Sequence, residues 1–386
     1  MIPRFAKILL VLGWVGAAAA GPPDDISSAF AAIRAVGPEG RGNAEASAAW
    51  KKLASGDAAT LLPILGAMDG ANDYAQNWLR AAVDTIAGRT LAAGGNLPLA
   101  DLGLFLLDTR HNPRARRLGF EILARIDAAT ADKLLPGMLN DPSLEIRYDA
   151  VQKVMDQAAQ SLSASNKTGA TLLFQQALSS ARDVGQIKDI SRNLADLGQP
   201  VDSRKLFGFL ADWKIAGPFD NPDKEGFDTV YPPEDKLDLA AEYDGKTGKV
   251  KWRDYRVTDP DGKVDLNQAY GKLKQVVAYG AADFVSDRAQ PAELRLGCET
   301  SWKAWLNGKF LFGRDEYHFD SQIDQYKLPV QLQPGRNTIL VKVYQNGQTE
   351  DWTVEWSFQL RVTDSLGTPI LPAAAKANTR TTREAP

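Results

Sequence analysis

Between residues 25 and 198, apolar side chains recur every three or four positions, the spacing of helices that bury a single face. Ala75, Trp78, Leu79, Ala82 and Ile86 form one stripe; Leu118, Ile122 and Leu123 form a second, and Ile146, Ala150, Val151 and Val154 a third. Asn112 before Pro113 and Asp141 before Pro142 place a capping side chain ahead of a proline in the first helical turn. The spacing predicts helix pairs over 57–68 with 74–87, 99–108 with 113–126, and 130–139 with 142–161, joined by loops short enough to make neighbours antiparallel. Second helices begin near residues 73, 113 and 142, which is a loose repeat.

The period changes near Val201. Beyond Trp213 the chain is rich in aromatic and β-branched residues, with alternation every second position between Gly and Pro turns. Trp352, Val354, Trp356, Phe358, Leu360 and Val362 share one side of a predicted strand, and Thr353, Glu355, Ser357, Gln359 and Arg361 the other, which predicts one buried and one wet face. Leu294, Leu296 and Cys298 alternate likewise, as do Tyr326, Leu328, Val330 and Leu332. Asn307-Gly308 is a hairpin signal because both residues tolerate positive φ, and Pro334-Gly335 marks the next reversal. The fold class is therefore multidomain, α plus β: an N-terminal all-α solenoid or bundle over 21–200, a linker over 201–212, and an antiparallel β-sandwich over 213–366. Residues 367–386, rich in Pro, Ala and Thr, are expected to form a disordered tail.

Two resemblances refine this organisation. The segments NDPSLEIRYDAVQKVM (140–155) and HNPRARRLGFEILARI (111–126) resemble the second helices of HEAT-type repeats, with an irregular helical bundle of no repeat ancestry as the alternative. WKIAGPFDN (213–221), ELRLGCETSWKAWLNGKFLF (293–312), LQPGRNTILVKVYQNG (332–347) and WSFQLRVTDSLG (356–367) together resemble the galactose-binding-like jelly-roll modules attached to many secreted bacterial proteins and glycoside hydrolases. The whole combination is similar to uncharacterised secreted proteins of planctomycete-type bacteria. Where such modules often carry an acidic, glycine-rich turn before the hairpin, this chain has Glu299-Thr300-Ser301-Trp302, so a ligand contact from that turn does not follow from the resemblance.

Residues 1–20 have the layout of a cleavable export signal: basic Arg4 and Lys7, an apolar stretch over 8–15, and Ala18-Ala19-Ala20 at the expected cleavage point. That stretch is too short to span a bilayer, no later segment is long and uncharged enough to do so, and the lone Cys298 lies far from any lipid-attachment position. One cysteine also excludes an internal disulfide, so stability must come from packing. The net charge of −3, with both signs mixed along the chain, offers no basic stripe for nucleic acid. The expected location is periplasmic or extracellular.

Candidate chemistry is sparse. The two histidines, His111 and His318, fall in different predicted domains, and neither has a local partner set for nucleophilic catalysis. The polar loop RDEYHFDSQIDQY (314–326) brings Asp315, Glu316, Asp320 and Asp324 near His318; it reads either as a solvated loop or as an oxygen-rich calcium site, and no other cofactor is implied. Asp259, Asp261 and Asp265 around Gly262 make a partial calcium-loop pattern that an ordinary β-turn also explains. Six of the nine tryptophans lie between Trp213 and Trp356, and sugars stack on exposed aromatic rings. Trp352, Trp356 and Trp302 share apolar strand faces and are expected in the core, whereas Trp305 points the other way beside Lys303. Trp305, Tyr317 and His318 are therefore the predicted ligand-facing group. The functional expectation is an exported, non-catalytic binding or scaffold protein, its helical part contacting a protein partner and its sandwich taking carbohydrate. The alternatives are a purely structural interaction protein without a sugar ligand, or a glycoside hydrolase acting through paired carboxylates.

Overall fold

The structure, a computed structural model, describes residues 24–373. The expected export signal, 1–20, and residues 374–386 of the expected tail lie outside the described residues. The chain divides into two compact units between Ala150 and Val151, earlier than the boundary near 200 that the change of period suggests.

In the first unit, helices α1 (Asp24–Arg34), α2 (Asn43–Ala54), α3 (Leu61–Ala67), α4 (Asp73–Ala92), α5 (Leu99–Leu107), α6 (Pro113–Ile126) and α7 (Ala128–Leu134) pack with α1 on α2, α2 and α3 on α4, α5 on α6 and α6 on α7, and α8 (Leu144–Ser163) begins before the boundary. The predicted stripes are the buried ones: Ala75, Leu79, Ala82 and Ile86 of α4, and Leu118 and Ile122 of α6, join one core with Leu61, Ile64 and Leu65 of α3. The Asn112 cap is present, its Oδ1 accepting from the Arg114 and Ala115 amides. Asp141 goes further: it accepts from the Ser143 amide at 2.7 Å and binds the Arg116 guanidinium through both oxygens at 2.6 and 2.5 Å, with both side chains buried.

The second unit continues with α9 (Lys167–Ser180) and α10 (Val184–Asp196) before the strands begin. The segment expected to be a linker holds α11 (Ser203–Phe207), capped by Asp202, and buries Phe207, Phe209 and Leu210. The strands are β1 (Asp212–Asp220), β2 (Glu242–Asp244), β3 (Lys249–Lys251), β4 (Arg253–Arg256), β5 (Val264–Asp265), β6 (Val276–Ser286), β7 (Gln290–Cys298), β8 (Trp302–Leu306), β9 (Lys309–Arg314), β10 (Tyr326–Leu332), β11 (Gly335–Gln345) and β12 (Ser357–Thr363). Two antiparallel sheets, ordered β4-β1-β6-β11-β8-β9 and β10-β7-β12-β5, face each other, with β2-β3 as a separate ribbon. Short helices α12 (Pro232–Asp235) and α13 (Leu266–Tyr270) interrupt the connections.

The predicted hairpin is present: Asn307 and Gly308 adopt φ of 52° and 77°, and β8 pairs with β9 on either side. Between the sheets lies one core that includes Trp213, Trp302, Trp356, Phe284 and Phe358. Gly280 sits where a Cβ would come within 2.6 Å of the Phe358 ring, so the centre of β6 must be glycine for Trp213 and Phe358 to meet edge to face at 4.9 Å. The lone thiol, Cys298, belongs to this core, and burial pushes its pKa up to about 12, which makes it a packing residue.

Three expectations fail for one reason: the outer faces of both sheets are covered. Ser357, Gln359 and Arg361, read as the wet face of the last strand, are buried. Arg361 donates to the Phe207 carbonyl at 3.0 Å and the Gly367 carbonyl at 3.3 Å. The start of the expected tail supplies part of that cover, with the Ile370 amide donating to Val362 and the Ala373 amide to Val285, so residues 367–373 are ordered against the sheets. Trp305 is only 7 % exposed, because residues of the 219–252 region close over the outer face of the six-stranded sheet.

Candidate functional site

The cover over the six-stranded sheet is aromatic and charged at once. Phe219, Tyr279, Tyr344 and Trp305 face outward from the strands and meet Tyr231, Tyr243, Phe227 and Trp252. At their centre Lys342, fully buried, donates three hydrogen bonds: to the carbonyls of Gly226 (3.0 Å) and Thr229 (2.8 Å) and to Glu234 Oε1 (2.6 Å). Its ammonium also lies over the rings of Tyr231, Tyr344 and Tyr279 at 4.4, 5.1 and 5.7 Å. Tyr279 donates its hydroxyl to the same Glu234 oxygen at 2.5 Å. Burial pulls the Lys342 ammonium down to about 8 against the opposing pull of Glu234, and burial raises the phenol pKa of Tyr231, Tyr279 and Tyr344. Every donor of this lysine is used inside the protein, so Lys342 fastens the cover and keeps no donor for a ligand.

At one end of the sandwich the loops are open. Loop 346–356 starts from buried Asn346 and makes a single turn of 3₁₀ helix over Asp351–Thr353. Buried Thr353 pins that turn: its Oγ1 donates to the carbonyls of Gln348 (3.0 Å) and Glu350 (2.7 Å), and its carbonyl accepts from Lys274 Nζ (2.8 Å) and Gln345 Nε2 (3.1 Å). Trp352, one residue earlier, is left 65 % exposed on a fixed support. Beside it stands His318, its ring edge-on at 5.5 Å and its Nε2 paired with Asn346 Oδ1 at 3.0 Å. Burial lowers the imidazole pKa, with the Asn346 acceptor opposing, so the ring is neutral near pH 7 and donates through Nε2. His318 holds φ at 64°, a left-handed conformation that turns the following Phe319 outward, where it is half exposed. Tyr317 packs beneath, near His318 at 6.0 Å and under Lys224 at 5.1 Å, with burial raising its pKa. Asn221 ties the loops together, its amide donating to the Gln275 carbonyl and its Nδ2 to the Gln345 carbonyl.

The structure thus keeps Tyr317 and His318 together and separates Trp305 from them. Trp305 is a core residue of the covered face, because Lys303, on which its outward reading relied, is itself turned into that cover, donating to the Phe227 carbonyl and lying over the Phe227 ring at 4.1 Å. Trp352, expected in the core, takes its place, because the strand begins only at Ser357 and the alternation seen upstream runs through a turn. A signal for this existed: Asn346-Gly347 followed by Gln348, Thr349, Glu350 and Asp351 is a turn and a polar run, which no central strand would carry.

The acidic residues of the same loop do not converge. Asp324 is the counter-ion of two buried arginines, meeting Arg361 at 2.7 and 2.5 Å and Arg295 at 2.7 Å. Burial works to raise its pKa, and the two guanidiniums override it and hold the carboxyl below its usual value. Asp315 accepts from Ser301 Oγ at 3.1 Å, Glu316 pairs with Arg314, and Asp320 offers its carbonyl to Gln325 at 3.5 Å. Asp259 is an ordinary turn acceptor for the Asp261 and Lys263 amides, Asp261 pairs with Lys188, and Asp265 caps α13. Among the described residues, no group of three or more His, Cys, Asp or Glu side chains is placed to hold a metal ion. His111 is structural, stacked on Phe105 at 4.0 Å and bonded to Asp69 at 2.7 Å.

No family model and no curated protein match the chain. Solved structures that share segments with it include a GH2 β-galacturonidase from Eisenbergiella tayi (10 % identity, TM-score 0.26, 41 % of this chain and 24 % of that one). Others are an anti-sigma factor domain-containing protein from Clostridium clariflavum (12 %, 0.25, 44 % and 48 %) and a β-glucosidase from Kluyveromyces marxianus (13 %, 0.25, 39 % and 16 %). The chain spans less than half the length of each of these proteins, and likenesses this slight carry no argument about function. No helix among the described residues is long and apolar enough to cross a membrane.

Proposed function

We propose that this is an exported, non-catalytic binding protein whose β-sandwich takes a neutral saccharide on its open loop end, while the helical part, read as HEAT-like, contacts a protein partner. The observation that carries the sugar reading is Trp352, an indole exposed on a turn that Thr353 locks, with the His318 ring at right angles beside it. An exposed aromatic face offers the apolar side of a pyranose a stacking platform at little entropic cost, because the platform is already fixed. The His318 imidazole and the Gln348 amide stand at its rim as uncharged hydrogen-bonding groups, both held by buried Asn346. A binding role is favoured over hydrolysis because Asp315, Glu316 and Asp324 of this loop are engaged as counter-ions or hydrogen-bond acceptors. The partner reading draws on Leu104 and Leu107, exposed three residues apart on α5. Export rests on the layout of residues 1–20.

The test is a glycan-array comparison of the mature full-length chain with its Trp352→Ala variant. Binding to neutral glycans that the substitution abolishes supports the reading. Binding that survives Trp352→Ala, or a wild-type chain that binds no glycan, overturns it.

A further inference from the structure

We infer that the helical unit carries a second ligand site of its own, a cleft of about 390 Å³ between α4 and the turn at residues 36–43, shaped for a neutral pyranose ring. The volume lies within the roughly 300–1,000 Å³ of small-ligand sites. Tyr74 and Trp78, four residues apart on α4, stand on one side of that helix and form the aromatic wall, Tyr74 exposed and Trp78 half-buried. Asn77 on the same helix and Asn43 at the start of α2 add two side-chain amides. The opposite wall is formed at Gly37 and Gly40, and Gly40 has φ of 77°, a conformation that other residues resist.

The lining residues themselves carry no charge, and the Arg41 guanidinium packs against Gly37, where a Cβ would come within 2.5 Å of it. A purely apolar ligand would leave the two amides without hydrogen bonds. A pyranose fits the aromatic wall and the amides together, with an apolar ring face for the aromatics and hydroxyls that donate and accept for the amides.

The cleft is also held in shape. Asn72 caps α4 by accepting from the Ala75 amide at 2.9 Å, and its other end donates to the Val36 carbonyl at 2.7 Å, so one side chain ties the turn to the helix. The Gly37 amide donates to the Arg41 carbonyl at 3.0 Å and closes the turn on itself. Little ordering is left to be done when a ligand enters.

The inference does not depend on the loop-end reading, and the test separates them. The full-length Trp352→Ala variant is titrated with the methyl glycosides of glucose, galactose, mannose and N-acetylglucosamine and followed by saturation-transfer NMR. At least one glycoside is expected to receive saturation at its ring protons. Adding Tyr74→Ala, whose side chain is exposed and dispensable for folding, is expected to weaken that binding about tenfold, the size of one lost ring-stacking contact. Asn43→Ala with Asn77→Ala is expected to act in the same direction. No saturation transfer to the Trp352→Ala chain, or transfer indifferent to Tyr74→Ala and to the paired asparagine changes, overturns the inference. Glycoside binding by wild type that Trp352→Ala abolishes does so too, and upholds the loop end alone.

Discussion

Two aromatic regions of the sandwich differ in one respect that decides what each can do. The outer face of the six-stranded sheet gathers Phe219, Tyr279, Tyr344 and Trp305 around buried Lys342 and is closed by Tyr231, Phe227 and Trp252. The loop end has fewer rings, yet Trp352 and Phe319 stand in solvent on supports that hydrogen bonds fix. Aromatic density therefore does not mark exposed surface in this protein. What separates the two regions is exposure: the strand rings around Lys342 are buried, whereas Trp352 is 65 % exposed.

The comparison breaks first at Glu234. Glu234→Ala strips a buried ammonium of its carboxylate and is expected to cost about 3–5 kcal/mol, read as a shifted urea midpoint. Replacing both partners, Lys342→Met with Glu234→Leu, is expected to recover most of that loss, because a buried pair is weak evidence for stability while a buried unpaired charge is costly. Equal losses in the single and double variants would show that the cover does not depend on this pair. A smaller effect follows from pH. The Lys342 pKa is near 8 in the fold against 10.5 in the unfolded chain, so folding sheds a proton between those values and stability gains from rising pH there. Wild type should gain on Lys342→Met between pH 8 and pH 9.5 in urea titrations, and a difference that shrinks over this window would contradict the assignment. At the loop end the smallest stability change is expected: Trp352→Ala should alter unfolding free energy by no more than about 0.5 kcal/mol while removing glycan binding.

Much of the fold was legible because it is written in periodicity. The α4 and α6 stripes, the Asn112 cap and the Asn307-Gly308 hairpin are local signals, and each is found in place. What periodicity cannot express is whether something distant covers the far side of a strand. Gln359 and Arg361 alternate like a wet face, but Phe207 and the 364–370 segment lie over them, and Asp324 reaches them from another loop. Trp305 was misplaced by the same omission, since its cover comes from the 219–252 region, far upstream in the chain. Trp352 was misread for a local reason: its spacing continues the strand pattern through a turn, and only the polar run after Gly347 tells the two apart. Tyr317 and His318 stand out in the sequence because an aromatic pair in a charged loop is conspicuous without tertiary information.

The central claim, that ligand meets the open loop end and not the covered sheet face, is tested most directly by oxidative footprinting of the tryptophans in the full-length chain, with and without a bound neutral oligosaccharide. The account predicts that Trp352 is the sandwich tryptophan most readily oxidised in the free protein and that saccharide protects it, while Trp302, Trp305 and Trp356 stay unreactive in both states. Protection at Trp252 or Trp305 with Trp352 still fully reactive would contradict it.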